Sequence, residues 1–445
     1  MITGILPLTA RTSPEGHLLV GEVDICELAD RVGTPFVLFD RASFEERARA
    51  YCSALPPERV LYAGKAFLSV ALCELLDDLD LGLDVCSGGE LATAVRAGFP
   101  CGRILFHGNN KSFDELLAAR DAGIGRVVVD CFEEIELLER VGIHAKLLVR
   151  VTPGVEAHAH EYVQTGKEDS KFGFSLAEGA ALDAIGAVDK VPGCDFVGLH
   201  AHVGSQMFGL EALEVAIARL AKLARSARDA FGVSVSELNV GGGLGIAHTS
   251  TETQPDLAQS AARLVSVAGT HFAAHDLPQP AVFVEPGRSL VGPCAVSVYR
   301  VGVVKRIPGV RTYVSVDGGM SDNIRPALYG AQYEAHVAGR MHAPHDMAAT
   351  VVGKHCESGD FLVQDALLPS DVGPGDLLCI PATGAYTYSM ASNYNRVPRP
   401  PVVMVSAGQA TTIVARETTE DLLRLDRRLD GSALAATPTA GDFSA

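Results

Sequence analysis

The chain of 445 residues contains no tryptophan, and aromatic residues make up only 6% of it. Ala, Val and Leu must therefore fill most of the core that a hydrophobic content of 47% implies. A chain of this length exceeds one typical domain, so two domains are the natural expectation.

Positive charge is also scarce, with 37 basic residues against 54 acidic ones, a net charge of −17 and no Lys/Arg run. Because neutralising a phosphate backbone requires clustered cations, nucleic acid is not expected as a partner. No apolar stretch reaches the ~18 residues that a membrane-spanning helix requires. A membrane location is therefore not expected.

The ten cysteines lie between Cys26 and Cys379 without any C-x-x-C pair. Scattered in this way through a long chain, they are typical of reduced thiols in the cytosol rather than of a disulfide framework. The first 16 residues have neither a basic n-region nor a long apolar h-region, so we expect no secretory signal. These features predict a cytoplasmic protein.

Eight short, mostly β-branched apolar runs alternate with helix-like segments. The runs are continuous rather than alternating, as in strands buried on both faces. Each ends in small or polar residues, and barrel enzymes build their sites at the C-terminal ends of strands. We therefore predict an α/β fold with a (β/α)8 TIM-type barrel, and a doubly wound open sheet is the alternative. The runs occupy residues 60–66, 83–89, 104–110, 126–131, 146–154, 196–205, 237–243 and 282–288.

After residue 292 the pattern changes to strand-like segments separated by turn signals such as D-G-G and S-G-D. We predict that residues 33–292 form the barrel and that residues 1–32 and 293–428 form a discontinuous, mostly β C-terminal domain. Residues 155–174 look like a loop inserted near the barrel mouth. The small, Pro/Gly-containing tail of residues 429–445 is expected to be disordered.

Lys65 stands at the end of the first run, in LYAGKAF. Flanked by apolar and small residues at a barrel mouth, its amine is expected to be desolvated. Burial would lower the pKa of this lysine and suit it to Schiff-base chemistry. Lys111 and Lys171 are rivals, but both lie in loop sequence.

Two glycine-containing turns follow the last two runs. Gly241, Gly242 and Gly243 come after the seventh run, and EPGR ends the eighth. The loops after strands 7 and 8 form the usual phosphate site of a barrel. Arg288 can pair with a phosphate, and Gly287 allows close backbone approach. The sequence therefore predicts a phosphorylated ligand at this place.

Glu285, in the same EPGR turn, either pairs with Arg288 or keeps the pyridine nitrogen of a cofactor protonated, which would make the ring a strong electron sink. His200 and His202 share one face of their strand. We expect one to stack on the cofactor and the other to pack inside the barrel. A metal site that includes His107 is the alternative. No metal is predicted, because the strand ends lack supporting carboxylates and an H-E-x-x-H motif.

Longer motifs carry a resemblance over nearly the whole chain. They are YAGKAF, LDVCSGGE, FHGNNKS, HAHVGSQ, NVGGGLG, VEPGR, SVDGGMSDNIRPALY, GKHCESGD and ATGAYTYSMASNYN. With them the chain resembles the alanine-racemase-fold, fold-type III decarboxylases that depend on pyridoxal 5'-phosphate (PLP). Within these it is most similar to the diaminopimelate decarboxylase family. One departure is YAGKAF, which replaces the more common YAxKAN and leaves the lysine unchanged.

The resemblance implies PLP as the cofactor and a role for most of these residues. The reaction would be decarboxylation of meso-2,6-diaminopimelate to L-lysine and CO2, the last step of lysine biosynthesis. Lys65 would bind PLP covalently, His202 would stack on its ring and Glu285 would pair with the pyridine nitrogen. Asp84 and Glu90 match supporting positions near the lysine. The phosphate would be held by Gly241, Gly242, Gly243, Ser205, Arg288 and Tyr386, with Gly287 beside them.

The resemblance also implies a homodimer with shared active sites, because Cys356 would act as general acid across the subunit interface. The matched substrate-binding positions offer cations for the carboxylate at the distal end of the substrate and an anion for the ammonium at that end. They are Arg288, Arg325, Tyr329, Glu357 and Tyr386.

Three alternatives remain beside this reading: a decarboxylase of a related amino acid, a racemase on the same fold, and a catalytically silent PLP-binding protein. Glu285 argues against the racemase, since racemases of this fold place an Arg opposite the pyridine nitrogen.

Overall fold

The computed structural model describes residues 4–155 and 170–429. The tail from residue 430 and most of the expected inserted loop, residues 156–169, lie outside the described residues. Among the described residues, no helix combines the length and apolar character needed to cross a bilayer.

The N-terminal segment forms a small antiparallel sheet and then enters the body of the protein. Asp24 begins the first helix, where its carboxylate accepts hydrogen bonds from the backbone N–H groups of Cys26 and Glu27. The elements are β1 (Arg11–Thr12), β2 (Leu18–Val20), β3 (Val23–Asp24), α1 (Ile25–Val32), β4 (Phe36–Asp40) and α2 (Arg41–Cys52).

The eight predicted runs form parallel strands that pair in chain order. A bridge between Val60 and Val284 brings the first strand beside the last, so the sheet closes. The predicted barrel is confirmed, and the open doubly wound sheet is excluded. The strands are β5 (Leu61–Ala63), β6 (Gly82–Val85), β7 (Ile104–Phe106), β8 (Arg126–Val129), β9 (Lys146–Thr152), β11 (Asp195–His200), β12 (Glu237–Asn239) and β13 (Ala281–Phe283), with the short β10 (Phe174–Ser175) paired to β9.

Helices connect the strands and bury their apolar faces on the barrel. Ser69, Ser87 and Ser112 each begin a helix by accepting a hydrogen bond from a backbone N–H in the first turn. Caps of this kind stabilise a helix by about 1 kcal/mol each. The helices are α3 (Val70–Asp78), α4 (Gly88–Arg96), α5 (Phe113–Ala122), α6 (Phe132–Val141), α7 (Ala180–Val188), α8 (Glu211–Phe231), α9 (Leu257–Ala273) and α10 (Arg288–Val291).

A second, mostly β region follows, as predicted. Its centre is the strand β14 of 13 residues, which pairs with three other strands (β4, β15 and β19) along its length. The elements are β14 (Ala295–Ile307), β15 (Arg311–Val316), α11 (Arg325–Tyr329), β16 (His336–Val337), β17 (Met347–Val352), β18 (Phe361–Leu368), β19 (Leu377–Pro381), β20 (Val402–Ser406), β21 (Gln409–Val414) and α12 (Thr419–Leu423).

Strand β4 belongs to this second sheet, since it lies between β14 and β20 and is hydrogen bonded to both. The second sheet therefore draws on residues beyond residue 33, the expected start of the barrel. The predicted division of the chain at residues 33, 292 and 428 stays a prediction. This sheet lies beside the barrel mouth, where α11 and Tyr386 contribute to one cavity with the barrel strands.

Candidate active site

A cavity of about 690 Å³ opens at the C-terminal ends of the barrel strands. Both regions of the chain line it, as expected for a barrel enzyme with an added domain. The residues predicted for the site that line this cavity are Lys65, His202, Ser205, Gly243, Glu285, Gly287, Arg288, Arg325, Tyr329 and Tyr386.

Lys65 follows β5 in a short turn, and its side chain is exposed to the cavity rather than to bulk water. Burial acts to lower the pKa of the amine, but electrostatic interactions with Tyr386, Asp84 and Glu285 outweigh burial and raise it. The predicted lowering of the Lys65 pKa is therefore wrong. Apolar neighbours in the sequence gave no indication of the carboxylates that the fold brings to the amine.

Glu285 is buried, with 6% exposure, and its carboxylate is surrounded by nitrogen atoms. Its Oε1 lies 2.6 Å from His107 Nε2 and accepts a hydrogen bond from Asn239 Nδ2 at 2.7 Å, while His200 Nε2 lies 3.3 Å from Oε2. Burial acts to raise the pKa of Glu285, but His107 and His200 hold it well below its usual range. These partners, rather than Arg288, keep the carboxylate ionised.

Asp84 is the second buried carboxyl group near Lys65. Burial and the neighbouring Glu285 raise the pKa of Asp84 well above its usual range. Glu90 accepts a hydrogen bond from the backbone N–H of Cys86 at 2.7 Å. Asp84, Glu90 and Lys65 line a further cavity of about 320 Å³ that also contains Glu285. The supporting positions predicted near the lysine are thus brought together.

His202 is half-buried and lines both cavities. The N–H of Gly242 donates to its Nδ1 at 3.2 Å. Burial, helped by the charges of Lys65 and Arg150, lowers the pKa of His202 well below its usual value. The imidazole is therefore neutral and presents a ring to the cavity. His200 is packed inside the barrel, as expected for one of the two histidines, and stacking of His202 on the cofactor stays a prediction.

The turn after β12 accepts only glycine at two positions. A Cβ at Gly242 would collide with the carbonyl oxygen of Glu285, and one at Gly243 would collide with that of Gly204. Gly241 has a φ of +69°, and its N–H donates to Asn239 Oδ1 at 2.9 Å. Glycine therefore lets this turn pack closely against the turns that contain Glu285 and Gly204, at the mouth of the barrel.

Arg288 provides the cation of the predicted phosphate site. Its Nη2 donates to Ser205 Oγ at 3.1 Å, and the Tyr386 ring centroid lies 4.8 Å from its Cζ. Its Nε and Nη1 are buried without a hydrogen-bond partner in the described part of the chain. Burial and the charge of Arg325 lower the pKa of Arg288 to about 10. An anion is the missing partner, and the phosphate of PLP fits this requirement.

Tyr386 reaches the cavity from the second sheet. Its φ is +58°, a conformation that is unusual for a residue with a side chain, and its N–H donates to the carbonyl of Ala66 at 2.9 Å. A Cβ at Gly287 would lie 3.3 Å from the Tyr386 hydroxyl. The tyrosine is thus held against the turn that carries Arg288 and beside Lys65.

Arg325 and Tyr329 lie on α11 and face the same cavity. The Cζ of Arg325 lies 5.5 Å from the ring centroid of Tyr329 and 5.9 Å from that of Tyr386. The predicted cationic end of the substrate site is therefore next to the cofactor site within one chain.

Cys356 and Glu357 are placed differently. Both are exposed, and neither is among the described residues that line the cavity. The N–H of Cys356 donates to Asn395 Oδ1 at 3.3 Å, and Tyr394 Oη lies 3.5 Å from Glu357 Oε2. This chain therefore does not bring the predicted general acid into its own site.

Several site residues escaped the sequence analysis. Arg150 lines the smaller cavity, where it donates to Asp130 at 3.2 Å and lies over the Phe172 ring. A charged residue inside an apolar strand run was the available signal. Asn239 ends a strand and was not noticed, and His107 was considered only as a metal ligand. Their shared partner Glu285 is far away along the chain, so only closure of the barrel brings the three residues together.

The same cluster bears on the metal alternative. One donor atom each of His107, His200 and Glu285 lies within 4.8 Å of the others, so the histidines do meet a carboxylate. However, the Asn239 amide donates to the carboxylate oxygen that His107 also contacts. Two imidazoles and an amide therefore serve the carboxylate as hydrogen-bond donors. The expectation that no metal binds stays a prediction.

The model of the pyridoxal binding domain of pyridoxal-dependent decarboxylases matches residues 41–292 of this chain. The diaminopimelate decarboxylase of Bacillus subtilis (strain 168) is 47% identical over 426 residues, which cover 94% of this chain and 97% of that protein. The chain belongs to the diaminopimelate decarboxylase family. PLP is its cofactor, and the resemblance drawn from the motifs is confirmed.

Solved structures agree with this assignment. The diaminopimelate decarboxylase from M. jannaschii in co-complex with L-lysine has a TM-score of 0.87 and 29% identity, covering 95% of this chain and 98% of that chain. The Helicobacter pylori diaminopimelate decarboxylase complexed with L-lysine has a TM-score of 0.81 and 32% identity, covering 90% of this chain and 99% of that chain. The predicted combination of a barrel and a β-rich region is the architecture of this family.

Proposed function

We propose that this enzyme removes one carboxylate of meso-2,6-diaminopimelate, at the D centre, and releases L-lysine and CO2. One observation carries the proposal. A single cavity joins an ionised Glu285 and Lys65 to two buried arginines, Arg288 and Arg325. The family relatives named for this activity, two of them complexed with L-lysine, support the substrate.

The barrel residues hold and tune the cofactor. Arg288, Ser205, Tyr386 and the glycine turn would hold the phosphate, and Lys65 would provide the amine for covalent attachment. Bound PLP supplies an electron-withdrawing ring that accepts the electron pair left when CO2 departs. Glu285, kept ionised by His107, His200 and Asn239, would hold a proton on the pyridine nitrogen and so maintain the electron-withdrawing capacity of the ring.

The neutral ring of His202 provides a flat apolar surface for the pyridine ring, and Asp84 and Glu90 lie near the lysine. Lys65 is surrounded by groups that favour its charged form, so it can carry a proton within the site. This distribution of charge supports decarboxylation over racemisation, because an ionised carboxylate at the pyridine nitrogen makes the ring a stronger electron sink.

The second sheet recognises the distal end of the substrate. Arg325 and Arg288 attract the carboxylate that is retained, and Tyr329 and Tyr386 border it. Glu357, contributed by a partner subunit, would bind the distal ammonium. Amino acids without this second carboxylate leave the buried Arg325 without an anion, which disfavours their binding.

The proton donor comes from a second copy of the chain. Cys356 is exposed on the surface of the described protomer, next to Glu357, and its backbone N–H donates a hydrogen bond to the Asn395 side chain. A C2 homodimer in which each copy inserts Cys356 into the site of the other would complete both sites. In that arrangement the Cys356 thiol gives its proton to the carbon that has lost CO2.

Two further proposals concern organisation and location. The barrel domain extends to residue 292, and its family match begins at residue 41, directly after β4.

The enzyme acts in the cytoplasm, where its ten cysteines, none paired in a disulfide, would stay reduced.

A product test examines the proposed function. PLP-loaded enzyme is incubated with meso-diaminopimelate, its LL isomer, ornithine, arginine and D-lysine, and CO2 and amino-acid products are identified. L-lysine and CO2 should form from the meso isomer, with turnover unchanged by a metal chelator. Preferred turnover of another amino acid, or isomerisation without CO2 release, would overturn the proposal.

A further inference from the structure

Arg325 is held in place by a residue that the family motifs did not indicate. Its Nε donates to the Tyr333 hydroxyl at 2.9 Å. Both residues are buried, with 4% exposure for Tyr333 and 6% for Arg325. Water therefore has little access to replace this hydrogen bond. Because the bond fixes one edge of the guanidinium, it also fixes the direction in which the two terminal nitrogens point.

Tyr333 is in turn supported by the barrel. The His248 ring packs edge-on against it, with ring centroids 5.2 Å apart and an interplanar angle of 87°. Gln206 Nε2 lies 3.2 Å from His248 Nδ1. Burial and the charges of Arg288 and Arg325 lower the pKa of His248 to about 3. A neutral ring can support Tyr333 without repelling the nearby guanidinium.

A second contact fixes the same two segments. Glu334 accepts hydrogen bonds from the backbone N–H and the hydroxyl of Ser250 at 2.6 and 2.7 Å. His336, whose Nε2 lies 3.6 Å away, and Ser250 hold the pKa of Glu334 at about 2. The loop that follows the glycine turn is thus joined to residues 333 and 334 by two adjacent side-chain contacts. The cofactor end and the substrate end of the cavity are linked here.

We propose that Tyr333 is a positioning residue that aims Arg325 at the distal carboxylate of the substrate and so selects amino acids with a second carboxylate. This inference rests on the proposed function, which assigns Arg325 to that carboxylate. Tyr333 itself is not among the described residues that line the cavity, so it acts through Arg325.

The variant Tyr333→Phe tests this role, since it keeps the ring that packs on His248 and removes only the acceptor for Arg325. Binding of L-lysine and of 1,5-diaminopentane to the PLP-loaded enzyme is measured by calorimetry. L-lysine retains the distal carboxylate, whereas the diamine lacks it. We expect L-lysine to bind about tenfold more weakly, the size of effect typical of a lost hydrogen bond to a charged group, with diamine affinity unchanged.

Turnover gives a second readout. The KM for meso-diaminopimelate should rise about tenfold while kcat stays within about twofold, because the lost interaction contributes equally to ground state and transition state. In an Arg325→Lys background, Tyr333→Phe should cause no further loss, as expected if one residue acts through the other. Tyr313→Phe, on β15, removes a hydroxyl outside the cavity and should change neither constant.

The outcomes separate the two proposals. Equal weakening of L-lysine and the diamine would show general damage to the site, and unchanged L-lysine binding would show that Tyr333 does not position Arg325. Either result overturns the inference. If the unmodified enzyme released no CO2 from meso-diaminopimelate, the proposed function would fail, while the difference between the two ligands would still report on Tyr333.

Discussion

The proposed barrel half of the active site lines one cavity within a single chain, whereas Cys356, the proposed proton donor, lies outside that cavity. Lys65, Glu285 and Arg288 converge on one cavity, where buried contacts from His107, His200 and Asn239 fix Glu285 and Arg288 donates to Ser205. Cys356 and Glu357 are on the exposed surface of the second sheet. Cofactor binding should therefore depend on the fold of one copy, and catalysis on two.

The two halves also differ in how they are supported. The barrel half is held by buried hydrogen bonds, such as that from Asn239 to Glu285, for which water cannot substitute. The hydrogen bonds of Cys356 and Glu357 to residues 395 and 394 are exposed to solvent. Substitutions in the barrel half should consequently have larger effects than substitutions of the residues that pack around Cys356 and Glu357.

The largest effect is expected for Lys65→Ala. The variant should lose turnover by about 1000-fold or more, since no other amine can replace the covalent attachment. Borohydride should fix PLP on the peptide containing Lys65 in the unmodified enzyme, and mass spectrometry identifies that peptide. Lys171→Ala, which removes another lysine lining the same cavity, is the control and should keep the label on Lys65. Full turnover by Lys65→Ala would refute the assignment.

Glu285→Gln should have the next largest effect. The substitution keeps the size of the side chain and removes the charge that holds the ring proton, so kcat should fall about 100-fold. PLP should remain bound, because its phosphate contacts are elsewhere. Stopped assays give kcat, and the visible absorbance of the purified protein gives PLP content. Unchanged kcat with PLP bound would exclude a role for the carboxylate at the pyridine nitrogen.

The barrel half was also the half that the sequence predicted best. All eight strands, the glycine turn and the residues Lys65, Glu285 and Arg288 follow from apolar runs and the chemistry at their ends. These are local patterns, because one strand and its following loop place each residue. Strand β4 was harder to assign, since an apolar strand before the barrel gives no indication of which sheet it joins.

The sequence could not show contacts that depend on closure of the barrel or on the second sheet. His107 meets Glu285 only because β7 and β13 belong to one closed sheet, and Tyr333 meets His248 only because the two regions pack together. The error in the Lys65 pKa has the same origin. The neighbouring strand β6 brings the carboxyl group of Asp84 beside the amine, and the motif around Lys65 does not include this residue.

Mixing two inactive variants examines the proposed division between copies. Cys356→Ala alone should lower kcat about 10- to 100-fold with PLP retained, as expected for loss of a general acid. Lys65→Ala and Cys356→Ala subunits, unfolded and refolded together, should regain about a quarter of the unmodified activity. Half of the dimers are then mixed, and each mixed dimer has one complete site. Refolding the variants separately is the control, and absence of recovery would contradict shared sites.

The smallest effect is expected in the support of the exposed half. Glu417 pairs with the Arg399 guanidinium at 2.9 Å and accepts from Asn393 at 2.6 Å, next to the residues that contact the Cys356 segment. The pairing with Arg399 lowers the Glu417 pKa to about 2 from an ordinary value of 4.5. Its stabilisation should therefore be present above pH 4.5 and be lost as the pH falls towards 2.

The Arg399 side chain is 40% exposed, so solvent screens the pair and only about 1–2 kcal/mol is expected from it. Glu417→Gln should lower the free energy of unfolding by this amount at pH 7, and the difference should shrink at pH 3. Urea denaturation at the two pH values measures it, with the exposed Glu420→Gln as a control that should have almost no effect. If the difference were equal at both pH values, the ion pair would not be its source, and the Cys356 segment would depend on packing rather than on charge.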